Sequence, residues 1–231
     1  GAIRVEANII PTHDNHTRII ESDLTGASIL DHPWQIFQFN DRALRDDFKL
    51  LTAGRTSATI SSTNKLIGPN DIFLEERAVV EHAVLNASSG PVYVGKNAVV
   101  MEGCLIRGPF ALCENAVLKM GTKIYGATTL GPHCVGGGEI KNSVLFAYSN
   151  KAHDGYLGDS VIGEWCNLGA GTSNSNVKNT GGAVNYITEK NMSGIAAGNK
   201  AGHLMGDYSR AAINTSFNTG TAAGVCCKIY G

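Results

Sequence analysis

Charge is scarce in this 231-residue chain: Asp, Glu, Lys and Arg make up 17% of it, against roughly 25% in an ordinary globular domain. The net charge is -1 at pH 7 with seven histidines counted as neutral. No basic stripe is visible, which argues against a nucleic-acid partner. Long hydrophobic runs are also missing. Nothing approaches the ~18 apolar residues of a membrane span, and Gly1 to Ile10 lacks the basic and apolar regions of a signal peptide. Cys104, Cys113, Cys134, Cys166, Cys226 and Cys227 form no CxxC pair and no His/Cys set with zinc spacing, so no metal site is expected. They read as small buried residues in a reducing cytoplasm rather than as a disulfide framework. Gly136-Gly137-Gly138 is followed by neither Lys-Ser/Thr nor a helical pattern, so it is not a phosphate loop. A hydrophobic content of 43% excludes a disordered chain.

What is abundant is glycine, 28 residues, together with a period. From Val94 an aliphatic residue recurs every six positions: Val94, Val100, Ile106, Leu112, Leu118, Ile124 and Leu130. With 49 Val, Ile and Leu in the chain, seven in seven is expected by chance in roughly 1 of 50,000 windows. Four residues after each stands a small or medium residue: Ala98, Cys104, Phe110, Ala116, Thr122, Thr128 and Cys134. The period returns in a new register at Tyr156, Ile162 and Leu168, again at Met205, Ala211, Phe217, Ala223 and Ile229, and first shows at Leu74 and Val80. Neither a helix nor a simple strand has this repeat. It fits a prism-shaped β-solenoid with one short strand and one corner per hexapeptide. The aliphatic residue then points inward, the small one fits inside near the corner, and Gly95, Asn97, Gly103, Gly121, Gly131, Gly163 and Gly169 take corners where positive φ is cheap.

Residues 1 to about 30 hold no repeat. Residues 33–51 read as a helix, with Pro33 in its first turn, an apolar stripe of Ile36, Phe37, Leu44, Phe48 and Leu51, and Gly54 as the stop. The expected organisation is an N-terminal segment over 1–66, the remnant of a larger domain, and a solenoid over 67–231. An insert at about 174–202 is expected to project as a hairpin. The abrupt start and in-phase end suggest part of a longer protein.

One stretch breaks the monotony. It runs from Asn150 through His153-Asp154-Gly155-Tyr156-Leu157-Gly158-Asp159 and Ile162-Gly163 to Asn167-Leu168-Gly169-Ala170-Gly171-Thr172, then Asn174 and Asn176. It resembles the acetyltransferase part of the bifunctional N-acetylglucosamine-1-phosphate uridyltransferase/glucosamine-1-phosphate acetyltransferase family. That family carries H-L-x-Y-x-G-D, then I-G-x-x-x-N-x-G-A-G-T, then N-Y-D-G, and Glu139-Ile140-Lys141 falls on its glutamate-x-lysine. The match covers about 40 residues. The chain as a whole resembles a subgroup fused to a sugar-phosphate nucleotidyltransferase. Three departures are visible. The family's Y-D-G reads Val177-Lys178-Asn179, its P-F-A-R-L-R, with a phosphate-binding arginine, reads Pro109-Phe110-Ala111-Leu112-Cys113-Glu114, and His153 is followed by Asp154-Gly155 rather than an apolar-polar pair.

The resemblance implies an all-β, left-handed parallel β-helix of hexapeptide repeats preceded by a short helical segment, and handedness rests on it alone. It implies acetyl transfer from acetyl-CoA to a hexosamine 1-phosphate in a cytoplasmic homotrimer serving cell-envelope precursor synthesis. His153 would be the general base, since a histidine near pKa 6.5 can take the amine's proton. Tyr156, Asn167 and Asn176 would contact the sugar phosphate, Lys141 its phosphate, and the Ala170 backbone N–H would lie near the thioester, where an oxyanion develops. The departures leave a second reading open, a non-catalytic oligomerisation or regulatory solenoid of a nucleotidyltransferase. His203, His133, His82, His13, His16 and His32 read as surface or corner residues, Cys226-Cys227 as packing, and Trp34 and Phe37 as helix packing.

Overall fold

The computed structural model describes residues 30–188 and 191–230. Segment 1–29 with His13 and His16, the pair Glu189 and Lys190, and Gly231 lie outside the described residues. Among the described residues no helix is long and apolar enough to cross a membrane.

The six-residue period becomes three parallel sheets around one axis, visited in rotation. The first face stacks Lys65–Ile67, Val84–Asn86, Leu105–Arg107, Lys123–Tyr125, Glu139–Lys141 and Tyr156–Gly158. The second runs through eight strands from Ile72–Leu74 to Thr221–Ala223, and the third through eight from Val79–Val80 to Lys228–Ile229. The parallel solenoid expected from the repeat is borne out. Its interior is a set of aliphatic columns. Ile124 lies between Ile106 and Ile140, and Leu130 between Leu112 and Leu145, all almost fully buried. Each such burial contributes roughly 1.5–3 kcal/mol. The small residues four places on are inside too. Ala98, Cys104, Ala116, Thr122 and Cys134 are fully buried, and the Thr122 hydroxyl donates to the Lys119 carbonyl at 2.5 Å.

Several expectations need correction. The corners are of two kinds. Asn97, Gly103 and Gly121 have positive φ, at 55°, 75° and 70°, but Gly95, Gly131, Gly163 and Gly169 do not. At those four a Cβ would run into the next coil, at Gly95 only 2.8 Å from the Cys113 carbonyl carbon. Close approach, not conformation, demands glycine there. The cysteines also divide: Cys104, Cys134 and Cys166 are buried, but Cys226 is exposed on a corner and Cys113 and Cys227 are half-buried.

The third correction bears on function. Along the second face the interval is 18 residues from Leu112 to Leu130, 15 from Leu130 to Leu145 and 17 from Leu145 to Ile162. Shortened coils shift the phase, so Leu157 pairs with Ile140 and points inward. Tyr156, read from the period as an interior residue, is half-buried on the outside. Lys151 takes an inward position of the third face instead, opposite Gly136.

The helix, Gln35–Thr52, lies on the outside of the second face. Its Asn40 amide donates to the Ala127 carbonyl at 2.9 Å and accepts from the Thr129 hydroxyl at 3.0 Å. Leu44 packs on Ala111 and Ala127. Trp34 and Phe37 pack on Val144, Val161 and Tyr186. Tyr186 belongs to an antiparallel hairpin, Asn185–Thr188 with Asn191–Ala196, that leaves the coil after Ser173–Asn174. Helix and hairpin together cover part of the second face, and the first face keeps its outer side open around residues 105–125.

The corner between the second and third faces carries a column of left-handed residues, including His133, Tyr148, Trp165 and Tyr208 with φ of 56–60°. Their rings stack in sequence, with centroids 4.7, 4.4 and 6.5 Å apart and planes within 8°. Stacking of this kind offsets part of the cost of bulky residues at positive φ.

His203, expected at the surface, is wholly buried. It begins the strand His203–Met205, whose two ends both turn inward. Its ring stacks on Phe217 at 3.9 Å, Nδ1 lies 3.2 Å from the Thr221 carbonyl, and Nε2 has no partner. Burial pushes its pKa down to about 4. The unfolded chain binds a proton near pH 6.5 that the folded chain refuses until about pH 4, so His203 lowers stability as pH falls through that window. Denaturation measured between pH 7 and 4 should show the wild type losing stability faster than His203→Leu, and parallel curves would exclude this account.

Candidate functional site

The outer side of the first face is built from two residue columns. In the register of the strands Lys123 stands beside Leu105 and Glu139, and Glu139 beside Tyr156. In the other column Tyr125 stands beside Lys141, and Lys141 beside Gly158. Neighbouring strands lie about 4.8 Å apart, so these residues are neighbours although they are 16 to 18 residues apart in the chain. The Tyr125 hydroxyl donates to Glu139, and the Lys141 ammonium sits 5.9 Å from the Tyr125 ring centre. One strand on, the Asn176 amide donates to the Tyr156 hydroxyl oxygen at 3.0 Å and to the Asp159 carboxylate. The Asn142 amide donates to the other Asp159 oxygen at 2.7 Å. Asp159 is 4% exposed and held at φ 48°. Two amides on its two oxygens supply the hydrogen bonds a buried carboxylate requires.

The two phenols are kept protonated. The Glu139 hydrogen bond, with burial, pushes the Tyr125 hydroxyl up to about 12. Burial, reinforced by the charges of Asp159, Tyr125 and Glu139, raises that of Tyr156 further. The cluster therefore presents neutral hydroxyl groups and one ammonium around a carboxylate pair, an arrangement suited to hydrogen-bonding a polyhydroxylated small molecule.

His153 is exposed on the corner between Asn150–Lys151 and Tyr156–Gly158. The three glycines 136–138 lie under this corner, and a Cβ at Gly137 would overlap the Ala152 carbonyl. The glycine run is a place of close coil approach. Inside the same corner lies Lys151, 1% exposed. Its ammonium donates to the carbonyl of Gly137 at 3.1 Å and to that of His153 at 2.5 Å. Burial lowers its pKa to about 8, against the opposing pull of Asp154. A lysine among aliphatic columns thus ties down the backbone of the histidine that the motif singles out.

Ala170 occupies the equivalent corner one coil further. Gly171 N–H donates to the Asp154 carbonyl at 3.0 Å, and Ala170 accepts from Asn214 N–H at 2.7 Å. Lys141, Tyr156 and Asn176 are thus brought together on the first face, with the His153 and Ala170 corners stacked at its edge. Asn167 is not part of that network: it lies half-buried on the third face, between Asn150 and Arg210. Sequence reasoning did not single out Tyr125, Glu139, Asn142 and Asp159 as site residues. Asp159 and Glu139 stand inside the quoted motifs. Tyr125 and Asn142 carry no local signal, because only the coil register makes them neighbours.

Residues 2–56 match the model of a sugar nucleotidyl transferase family. The chain is 34% identical over 92 residues to the bifunctional protein GlmU of Methanocaldococcus jannaschii, covering 39% of this chain and 22% of that protein. It is 31% identical over 137 residues to the protein of the same name from Thermus thermophilus, covering 48% and 30%. A third, from Methanococcus maripaludis, is 27% identical over 193 residues, covering 84% and 40%. The chain therefore spans between about a fifth and two fifths of the length of these relatives. The family resemblance read from residues 139–176 is borne out.

Lys151 generates a pH signature of the opposite limb. Between about pH 8 and 10.5 the unfolded lysine still holds a proton that the folded one has released. Wild-type stability should then rise with pH across that interval relative to Lys151→Met, read by chemical denaturation. A difference between the two proteins that does not change with pH would show that Lys151 is protonated normally in the fold.

Proposed function

We propose that this chain carries an acetyl-CoA-dependent N-acetyltransferase site for a hexosamine 1-phosphate, and that it works in the cytoplasm as a homotrimer. His153 takes the proton of the acceptor amine as that amine attacks the acetyl thioester; the C–S bond then breaks, and coenzyme A leaves as the thiol with that proton. Exposure on a corner suits this role, since the ring must reach a substrate from outside the solenoid. Tyr156 and Asn176 hold the sugar by hydroxyl and amide hydrogen bonds, and Lys141 meets its phosphate. The Ala170 N–H, on the corner stacked next to His153, stabilises the oxyanion of the tetrahedral intermediate. Asn167, on another face, serves the acceptor bound to a neighbouring solenoid, which is where the trimer enters. The N-terminal match to sugar nucleotidyl transferases is consistent with a parent protein that also makes a sugar nucleotide.

The observation that carries this reading is the hydrogen-bonded group Tyr156–Asn176–Asp159–Asn142 directly after the His153 corner. A purely structural face has no reason to bury a carboxylate there and hold a tyrosine hydroxyl against an amide. One observation favours the second reading, a non-catalytic oligomerisation or regulatory solenoid. Val177-Lys178-Asn179 and Leu112-Cys113-Glu114 replace two segments of the family's acceptor motif. Calorimetry with acetyl-CoA separates the two, since the second reading expects no binding.

General-base catalysis contributes typically 10²–10⁴-fold. Acetyl transfer to glucosamine 1-phosphate should fall by about a hundredfold or more in His153→Ala, with the melting temperature unchanged because the ring is exposed. Equal rates in wild type and variant would remove His153 from the mechanism.

A further inference from the structure

The open first face continues past the Tyr156 network toward the helix, and there it holds a cavity of about 600 Å³. Sites for small molecules commonly fall between about 300 and 1,000 Å³. Two cations line it, Arg107 and Lys123, on neighbouring strands. Among the described residues neither forms an ion pair. An exposed cation without a partner is ordinary by itself. Here, however, the two stand in one concavity whose two carboxylates each already accept a hydrogen bond. Asp41 is gripped by the Arg45 guanidinium at 2.7 and 3.2 Å, and Arg45 also donates to the Ser89 carbonyl at 2.7 Å. Glu139 accepts the Tyr125 hydroxyl. Leu105, 49% exposed, stands beside Lys123 in the strand register and gives the cavity an exposed apolar surface. An exposed leucine beside two cations that form no ion pair among the described residues fits a ligand with an anionic end and a ring.

We propose that this cavity binds a phosphate ester of nucleotide or sugar-phosphate size. The Arg107 guanidinium takes the phosphate as a two-pronged donor and Lys123 adds a point charge, the division of labour usual for these two side chains. The ring of the ester lies on Leu105. The cavity reaches the Tyr125–Glu139 pair of the acceptor face, but its Arg107 end lies away from the groups that would hold the acyl acceptor. The Leu105–Arg107 strand lies three strands from Tyr156–Gly158, roughly 14 Å at about 4.8 Å per strand. That is well beyond the separation of amine and phosphate within one hexosamine 1-phosphate. The ligand is therefore a second molecule, seated where helix residue Asp41 meets the solenoid, and it bridges the two.

The test is calorimetry on the whole 231-residue chain with three probes: uridine diphosphate, glucosamine 1-phosphate and inorganic phosphate. At least one ester should bind, with affinity falling about tenfold or more in Arg107→Ala and in Lys123→Ala, the size expected for a charge-assisted hydrogen bond. Affinity should also weaken as salt is raised. Both side chains are exposed, so the variants should melt with the wild type, and this is checked alongside. The tighter ester identifies the source, a nucleoside ring or a sugar ring on Leu105. His153→Ala, which tests the acetyl-transfer reading, should leave this binding intact, so either claim can fail alone. Affinities equal in wild type and Arg107→Ala would overturn the proposal, as would no ester binding at all. Inorganic phosphate binding as tightly as either ester would overturn the role of Leu105. An Arg107→Ala effect confined to the KM for glucosamine 1-phosphate would overturn the claim of a separate site.

Discussion

Parallel hydrogen bonding between successive coils sets, for every strand residue, the neighbour above and the neighbour below. With those neighbours about 4.8 Å away, an inward position must hold a side chain that packs on its own counterpart. Leu112, Leu130, Leu145 and Ile162 form such a column on the second face. An inward charge meets no water and an inward bulge meets the next coil. Few charges and many glycines are therefore consequences of the architecture. The same rule explains two kinds of corner glycine, those that need positive φ and those whose Cβ would strike the following coil.

The candidate site arises where that regularity is interrupted. Coils between Leu130 and Ile162 are one to three residues shorter than the 18-residue coil before them. The change of phase turns Tyr156 outward and brings Lys151 inside. Interior polar groups gather in the same coils: Lys151 on two carbonyls, Asn174 on the backbone of Gly158, Ser160 on the Gly158 carbonyl. Each is bonded, as a buried polar group must be to avoid a cost of several kcal/mol. Lys151 links this interior to the exterior, since the carbonyl it holds belongs to His153.

The two broad faces that flank this region are used differently. The second is partly covered by the helix and the hairpin, through Asn40, Leu44, Trp34 and Tyr186. The first stays open between Arg107 and Asn176. Along it lie two arrangements with different chemistry. One is a hydrogen-bonded network rich in neutral donors around Asp159. The other is a cavity with two cations, Arg107 and Lys123, beside the exposed Leu105. They meet at Tyr125 and Glu139, but Arg107 lies three strands from Tyr156, so one ligand molecule of sugar-phosphate size does not reach both ends.

The solenoid itself was legible from residue spacing alone, because a six-residue column repeated seven times over residues 94–130 leaves no other periodic structure that buries it. The family resemblance was equally legible, because it sits in contiguous stretches around His153 and Glu139. Three things were not legible. Tyr156 was assigned to the interior by extending the period back through a coil of changed length, and His203 to the surface or a corner because nothing near it in the sequence names a partner. The partners Tyr125–Glu139 and Asn142–Asp159 lie 14 and 17 residues apart, a distance at which sequence carries no sign of contact. By itself the sequence determined the architecture and the identity of the unusual residues, since both follow from local pattern. Only the tertiary structure decided which of those residues face each other, which face stays open and which polar groups lie inside, since coil register, and nothing local, sets what stands one strand away.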